Sequence, residues 1–410
     1  MYSLMRPILN LAIVCSALHW SVASGVAALL PARDARGARG AAESRIPARS
    51  SAAPAPRLAT GDWGIVELTP LVLRVPLEAT APEAVRCEPM RWFFPQGDEI
   101  RARQRLREAG CRLAGAAPLV FEPASDGVWF LPSPEWIVSL SSESRSEVYR
   151  FLARSERNPR QRYPFTFARG SLDAQLAAAG LEPATATLIR RLACPLGEVL
   201  ILADAELVLE RCGTLAEKRR FLRFLTTHTA LGMRLTLPQD MDLGAVVGYW
   251  GAQGRESVVR PLLEALRDSR GTGYLDVAYL LPPLGRNLLM TYPTDASDNR
   301  PNASHWNCFW TSLNFFAARP DARLVDANIA RDELARPYDR VTGEKRFGDV
   351  VVWRDEAGGL THMAVWIAAD VVFTKNGYDA LHPWTLMSLG ELGLRIPFAH
   401  PNDIACYRRR

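Results

Sequence analysis

A cysteine and a histidine in the last quarter of the chain have the types and order of a nucleophile and its base. Cys308 stands in the run His305-Trp306-Asn307-Cys308-Phe309-Trp310, and His362 opens the run His362-Met363-Ala364-Val365-Trp366-Ile367. The apolar spacing of the first run predicts a helix that starts at the cysteine, and the second run predicts a β-strand whose first residue is the histidine. A thiol at a helix N-terminus meets the positive end of the backbone dipole, which favours its thiolate. A neighbouring imidazole can take the proton and later return it to a leaving amine. Together these are the parts of a cysteine hydrolase or acyltransferase.

The elements that must position this pair follow one another closely. The helix beginning at Cys308 would bury Phe309, Leu313 and Phe316. Arg346-Phe347-Gly348-Asp349 reads as a turn feeding a strand over residues 350–353, and a loop over residues 355–359 leads to the histidine strand. A third strand over residues 371–374 ends at Lys375-Asn376-Gly377, and residues 384–392 read as a final helix. A helix carrying the cysteine, followed by an antiparallel sheet carrying the histidine, is an α+β core.

At these residues the last third of the chain resembles the NlpC-type superfamily of bacterial cell-wall cysteine peptidases and its CHAP amidase relatives. The matching features are Cys308 at a helix start, Gly348-Asp349 before a core strand, His362 opening the next strand, and Asn376 at the end of the one after. The resemblance implies a papain-like domain in which Cys308 is nucleophile, His362 base and Asn376 orienting residue. Asp379 and His382 compete with Asn376 for the third role. Where the family commonly has Asp-Cys-Ser-Gly, this chain has Asn307-Cys308-Phe309-Trp310, a departure at the substrate subsite. His305, Trp306 and Trp310 flank the thiol as candidate substrate contacts. Both tryptophans also read as core or cleft wall.

The front of the chain sets the expected compartment. Residues 1–24 carry one cation, Arg6, then a short apolar run and small residues at Val22, Ala23 and Ser24, which is the layout of a secretory signal peptide. Residues 25–60 are rich in Ala, Arg, Pro, Ser and Gly and read as a disordered linker. Residues 61–270 read as a separate mixed α/β domain, and residues 271–410 as the cysteine hydrolase domain. In the front domain, residues 65–68 and 72–75 predict strands, and residues 199–202 and 206–209 a β-rich pair. Thr214 to Glu217 forms a capping box, and residues 257–266 predict an amphipathic helix.

Composition bounds the remaining possibilities. The chain is 48% apolar and 23% charged, as globular proteins are, and its formal charge of +5 is too modest for a nucleic-acid footprint. Weak attraction to an anionic cell-wall polymer is compatible with that charge. Once Cys15 leaves with the signal, an oxidising compartment allows Cys87–Cys111 and Cys194–Cys212 as local disulfides and leaves Cys406 as a buried free thiol. Neither CxxC nor HExxH occurs, so no metal is implied, and no organic cofactor either. Three functions fit these residues. The first is an exported, periplasmic or extracellular cysteine hydrolase cleaving an amide, foremost in peptidoglycan stem peptides. The second is a transglutaminase-like acyltransferase. The third is a non-catalytic envelope binding protein on the same fold. In each case the mature chain should have no integral membrane span, with peptidoglycan or a peptide as partner.

Overall fold

The structure is a computed structural model that describes residues 56–410 except 76–89, 98–99, 102–103, 105, 107–119, 270–272, 294–305, 356–357, 378–380 and 397–403. The signal peptide, most of the expected linker, Cys87, Cys111, His305 and Asp379 lie outside the described residues.

Among the described residues, four antiparallel sheets and the helices between them give a mixed α+β architecture. The chain enters through β1 (Arg57–Gly61) and β2 (Gly64–Leu73), a hairpin closed at Asp62-Trp63 where Gly64 takes φ 101°. The linker expected to reach residue 60 therefore ends sooner. Residues 57–61 pair in register with residues 64–68, so backbone hydrogen bonding to a buried neighbour orders a stretch whose side chains alone gave no such signal. The strands expected at 65–68 and 72–75 are likewise one continuous β2, with Val66 and Leu68 turned into the core by period-two alternation.

Next come β3 (Trp92–Pro95), β4 (Val120–Ala124) and β5 (Gly127–Leu131), in sheet order β3-β5-β4. They are followed by β6 (Phe165–Ala168), β7 (Cys194–Leu196) and β8 (Val199–Leu202), in order β6-β8-β7. Helices Ser142–Leu152, Pro183–Leu192 and Leu215–Leu225 pack with these small sheets around Trp92, Tyr149, Ile189, Ile201 and Phe221. Half of the expected Thr214 capping box forms: the hydroxyl accepts from the Glu217 amide at 3.1 Å, whereas the Glu217 carboxylate accepts from the Glu182 amide at 2.9 Å and from Arg220 rather than from the Thr214 amide. Residues 206–209, expected as a strand, instead lie in the helix Ala205–Arg211. Its Ala, Glu, Leu and Arg are good helix formers, and they outweigh a single Val in so short a run.

Two larger sheets complete the molecule. In the first, β2 pairs with β9 (His228–Thr236), which also pairs with β10 (Leu275–Asp276). The second has six strands in the order β11-β16-β12-β13-β14-β15. They are β11 (Tyr338–Val341), β12 (Val350–Arg354), β13 (Leu360–Ala368), β14 (Val371–Lys375), β15 (Trp384–Ser388) and β16 (Ile404–Arg409). The final helix is Leu389–Arg395 and not residues 384–392. Residues 384–388 alternate across the sheet, Trp384 and Leu386 to one side and Met387 to the other, and complete the ladder with β14.

Residues 56–410 form one compact unit. The boundary expected near residue 270 is bridged by a single apolar cluster in which Val66, Leu235, Trp250 and Leu263 pack with Phe315, Val365, Phe373 and Trp384. Among the described residues no helix is long and apolar enough to cross a membrane.

Candidate functional site

Cys308 is the first residue of the helix Cys308–Leu313, as its sequence implies. Asn307 caps that helix, its side-chain oxygen accepting from the Trp310 amide at 3.1 Å while its amide nitrogen donates to the Val325 carbonyl at 2.8 Å. The cap fixes which way the helix lies. Phe309, Trp310 and Leu313 press with Cys308 onto Val350, Val352 and Met363, one face of the six-stranded sheet. Cys308 is only 6% exposed. Burial pushes its thiol up to about 11, against smaller opposing effects led by the Met363 backbone amide and the Lys375 ammonium. The thiol is therefore protonated and shielded at neutral pH.

His362 belongs to the other face of that sheet. On β13, Met363, Val365 and Ile367 lie on the helix side, whereas Ala364 and Trp366 join Val351, Trp353, Val372 and Met387 on the far side. Alternation assigns His362 to the set of Ala364 and Trp366. It stands directly opposite Trp353 in the ladder with β12, and the two rings meet edge-on with centroids 5.7 Å apart. Its Nε2 lies 2.8 Å from Thr374 Oγ1, and that hydroxyl is 3.4 Å from the Met363 carbonyl. When Thr374 donates to this carbonyl, it accepts from His362 Nε2–H, which selects the neutral Nε2-protonated tautomer. Burial alone drives His362 down to about 3. Among the described residues no hydrogen bond joins Cys308 to His362. The structure thus keeps apart the pair that the sequence places together.

The remaining expected site residues divide in the same way. Asn376 is half-buried and donates to Met387 Sδ at 3.6 Å, with no bond to His362 among the described residues. Thr374, two residues earlier on the same strand, is the hydrogen-bond partner that Asn376 was expected to be. His382 stacks on Phe165 with centroids 5.0 Å apart and lies near His228, in a separate cluster. Trp306 and Trp310 form a parallel pair, 4.3 Å between centroids and 5° between planes, and Trp384 Nε1 donates to Thr311 Oγ1 at 2.9 Å beneath them. Trp310 is buried in the cluster that holds Cys308, and Trp306 packs against that cluster.

Two further residues carry charge into this region. Lys375 is fully buried on the Cys308 side of the sheet, its Nζ donating to the Gly377 carbonyl at 3.0 Å and lying 5.6 Å from the Trp384 ring centroid. In the sequence it sits at an apparent strand-end turn, a place that normally exposes a lysine. The Gly-Asp turn has a structural task. Gly348 takes φ 91°, and the buried Asp349 carboxylate accepts from the Arg346 amide at 2.8 Å and from Arg408 through two bonds of 2.7 Å. It anchors β16 beside β12 with a bidentate fork.

The Cys194–Cys212 disulfide is absent: both are buried free thiols, one in β7 and the other at the end of helix Ala205–Arg211. Cys212 Sγ instead donates to the Val208 carbonyl at 3.3 Å. Cys406 is a buried free thiol, as expected. Among the described residues no three His, Cys, Asp or Glu side chains gather as metal ligands would. An open groove of about 600 Å³ lies away from Cys308, along β11 and β16, and five of its lining residues are arginines. Compared with known protein families, curated proteins and solved structures, the chain matches none.

Proposed function

We propose that this chain is an exported, non-catalytic binding protein of the cell envelope in which Cys308 and His362 serve the core of the C-terminal sheet. One observation carries the reading: thiol and imidazole occupy opposite faces of one sheet, each desolvated and each held in its neutral form. A nucleophilic cysteine needs a base within hydrogen-bond reach and a thiolate that neighbouring charge favours. Hydrolysis and acyl transfer share that need, so the arrangement disfavours both. The likeness to NlpC-type peptidases is then one of element order: cysteine helix, Gly-Asp turn, histidine strand.

The test is direct. Purified full-length chain is incubated with peptidoglycan and the soluble muropeptides are analysed by mass spectrometry, beside Cys308→Ala. The expected outcome is the same muropeptide profile for both proteins and for buffer. A product formed by the wild type and missing with folded Cys308→Ala would restore the hydrolase reading.

A further inference from the structure

A cluster of arginines lines a groove at the edge of the six-stranded sheet. Strands β11 and β16 pair antiparallel, with Arg340 opposite Tyr407 and Tyr338 opposite Arg409. Arg340 and Arg409 therefore fall on one face of this ribbon as diagonal neighbours. The turn after β11 brings Glu344 and Arg346 to the same groove, whose volume is about 600 Å³. That volume is in the range of sites for small ligands.

The arginines of this groove are of two kinds. Arg408 is committed to the buried Asp349 carboxylate, and Arg410 to Asp339 at 3.1 Å. These pairs hold the strands together. Arg340, Arg346 and Arg409 are exposed, and among the described residues none of their side chains has an ion-pair partner. Glu344 is the one lining carboxylate not already in an ion pair among the described residues. Arg340, Arg346 and Arg409, none in an ion pair among the described residues, thus line one groove at the sheet edge beside the Arg408–Asp349 and Arg410–Asp339 pairs. Guanidinium forks match the oxygens of a phosphoryl group bidentately, and their planar shape is preorganised for it. A solitary carboxylate would satisfy one fork and leave two.

We infer that the β11–β16 groove binds a short chain of phosphoryl groups, either as a free oligophosphate or as part of a phosphate-bearing polymer. This deepens the binding reading by naming a surface and a ligand class. The chemistry requires no change in Cys308 or His362, both of which lie in other clusters.

The experiment is an isothermal titration of the full chain with inorganic tripolyphosphate at low salt, with long-chain polyphosphate and polyglutamate as further arms. Saturable binding that weakens as salt rises is expected. Arg340→Ala, Arg346→Ala and Arg409→Ala should each weaken it roughly two- to fivefold, and the triple variant more than about tenfold. Arg190→Ala, an exposed arginine paired with Asp173 elsewhere, should leave it unchanged. These side chains are exposed, so circular dichroism of the variants should match the wild type. Tighter binding of polyphosphate than of tripolyphosphate would identify a polymer as the source, and equal binding a free oligophosphate. Absence of binding, an unaffected triple variant, equal loss in Arg190→Ala, or equal binding of polyglutamate would each overturn the assignment. A null titration beside an unchanged muropeptide profile removes the ligand and leaves the binding reading. A Cys308-dependent muropeptide product removes that reading and leaves the groove.

Discussion

Acidification should reveal the buried state of His362. Its folded-state value lies near 3, against 6.5 for a free imidazole, and burial is the cause. The folded protein therefore refuses a proton that the unfolded chain accepts below about 6.5. The sign follows: this contribution to stability is complete above about 6.5 and is lost as pH falls toward about 3. The slope is about 1.4 kcal/mol per pH unit, which comes to about 2 kcal/mol lost by pH 5 and about 5 kcal/mol near pH 3. Urea unfolding of the wild type and of His362→Gln, followed from pH 7.5 downward, isolates the effect because all other titrating groups are shared. The wild type should lose stability faster by the slope given, while the glutamine amide keeps a donor toward Thr374. Parallel curves would refute the reasoning. A wild type that gains on the variant as pH falls would mean a raised histidine, as in an imidazolium beside a thiolate.

Two substitutions probe the packing that separates the pair. Thr374→Val should destabilise by about 1–3 kcal/mol, because His362 Nε2–H would lose its acceptor in a buried site, whereas Thr374→Ser should be close to wild type in urea unfolding. Gly348→Ala should cost about 1–3 kcal/mol in the same assay, since φ 91° disfavours any Cβ and the new methyl would drive into the Phe316 ring. A neutral Gly348→Ala would mean that the turn relaxes freely.

Much of the C-terminal architecture was legible. The cysteine at the helix start, the Gly-Asp turn and the strands at 350–353 and 371–374 all follow from local pattern. The relation between thiol and imidazole was not, for a definite reason. His362 reads as the first residue of its strand, where its direction would be loosely set. Strand β13 instead begins at Leu360, and a register irregularity near Thr361 separates Leu360, on the cysteine side, from His362, on the far side. Because side chains alternate with period two, one residue of register decides which face a histidine joins. The continuity of the core across residue 270 was hidden as well. It depends on β2, β9 and β15 meeting in space, and no local pattern records that. The arginine groove escaped notice because Arg340 and Arg409 are distant in sequence and become neighbours only through the pairing of β11 with β16.

The measurement closest to the central claim is the rate at which iodoacetamide alkylates Cys308 as a function of pH, read from the Cys308 peptide by mass spectrometry. A thiol moved from 9.0 to about 11 carries roughly a hundredfold less thiolate at pH 8 than an ordinary cysteine, and burial slows it further. Labelling should be negligible at neutral pH, rise only in strongly alkaline solution, and be indifferent to His362→Gln. Rapid labelling near pH 6 to 7 that is lost in His362→Gln would place a base beside the thiol and contradict the account.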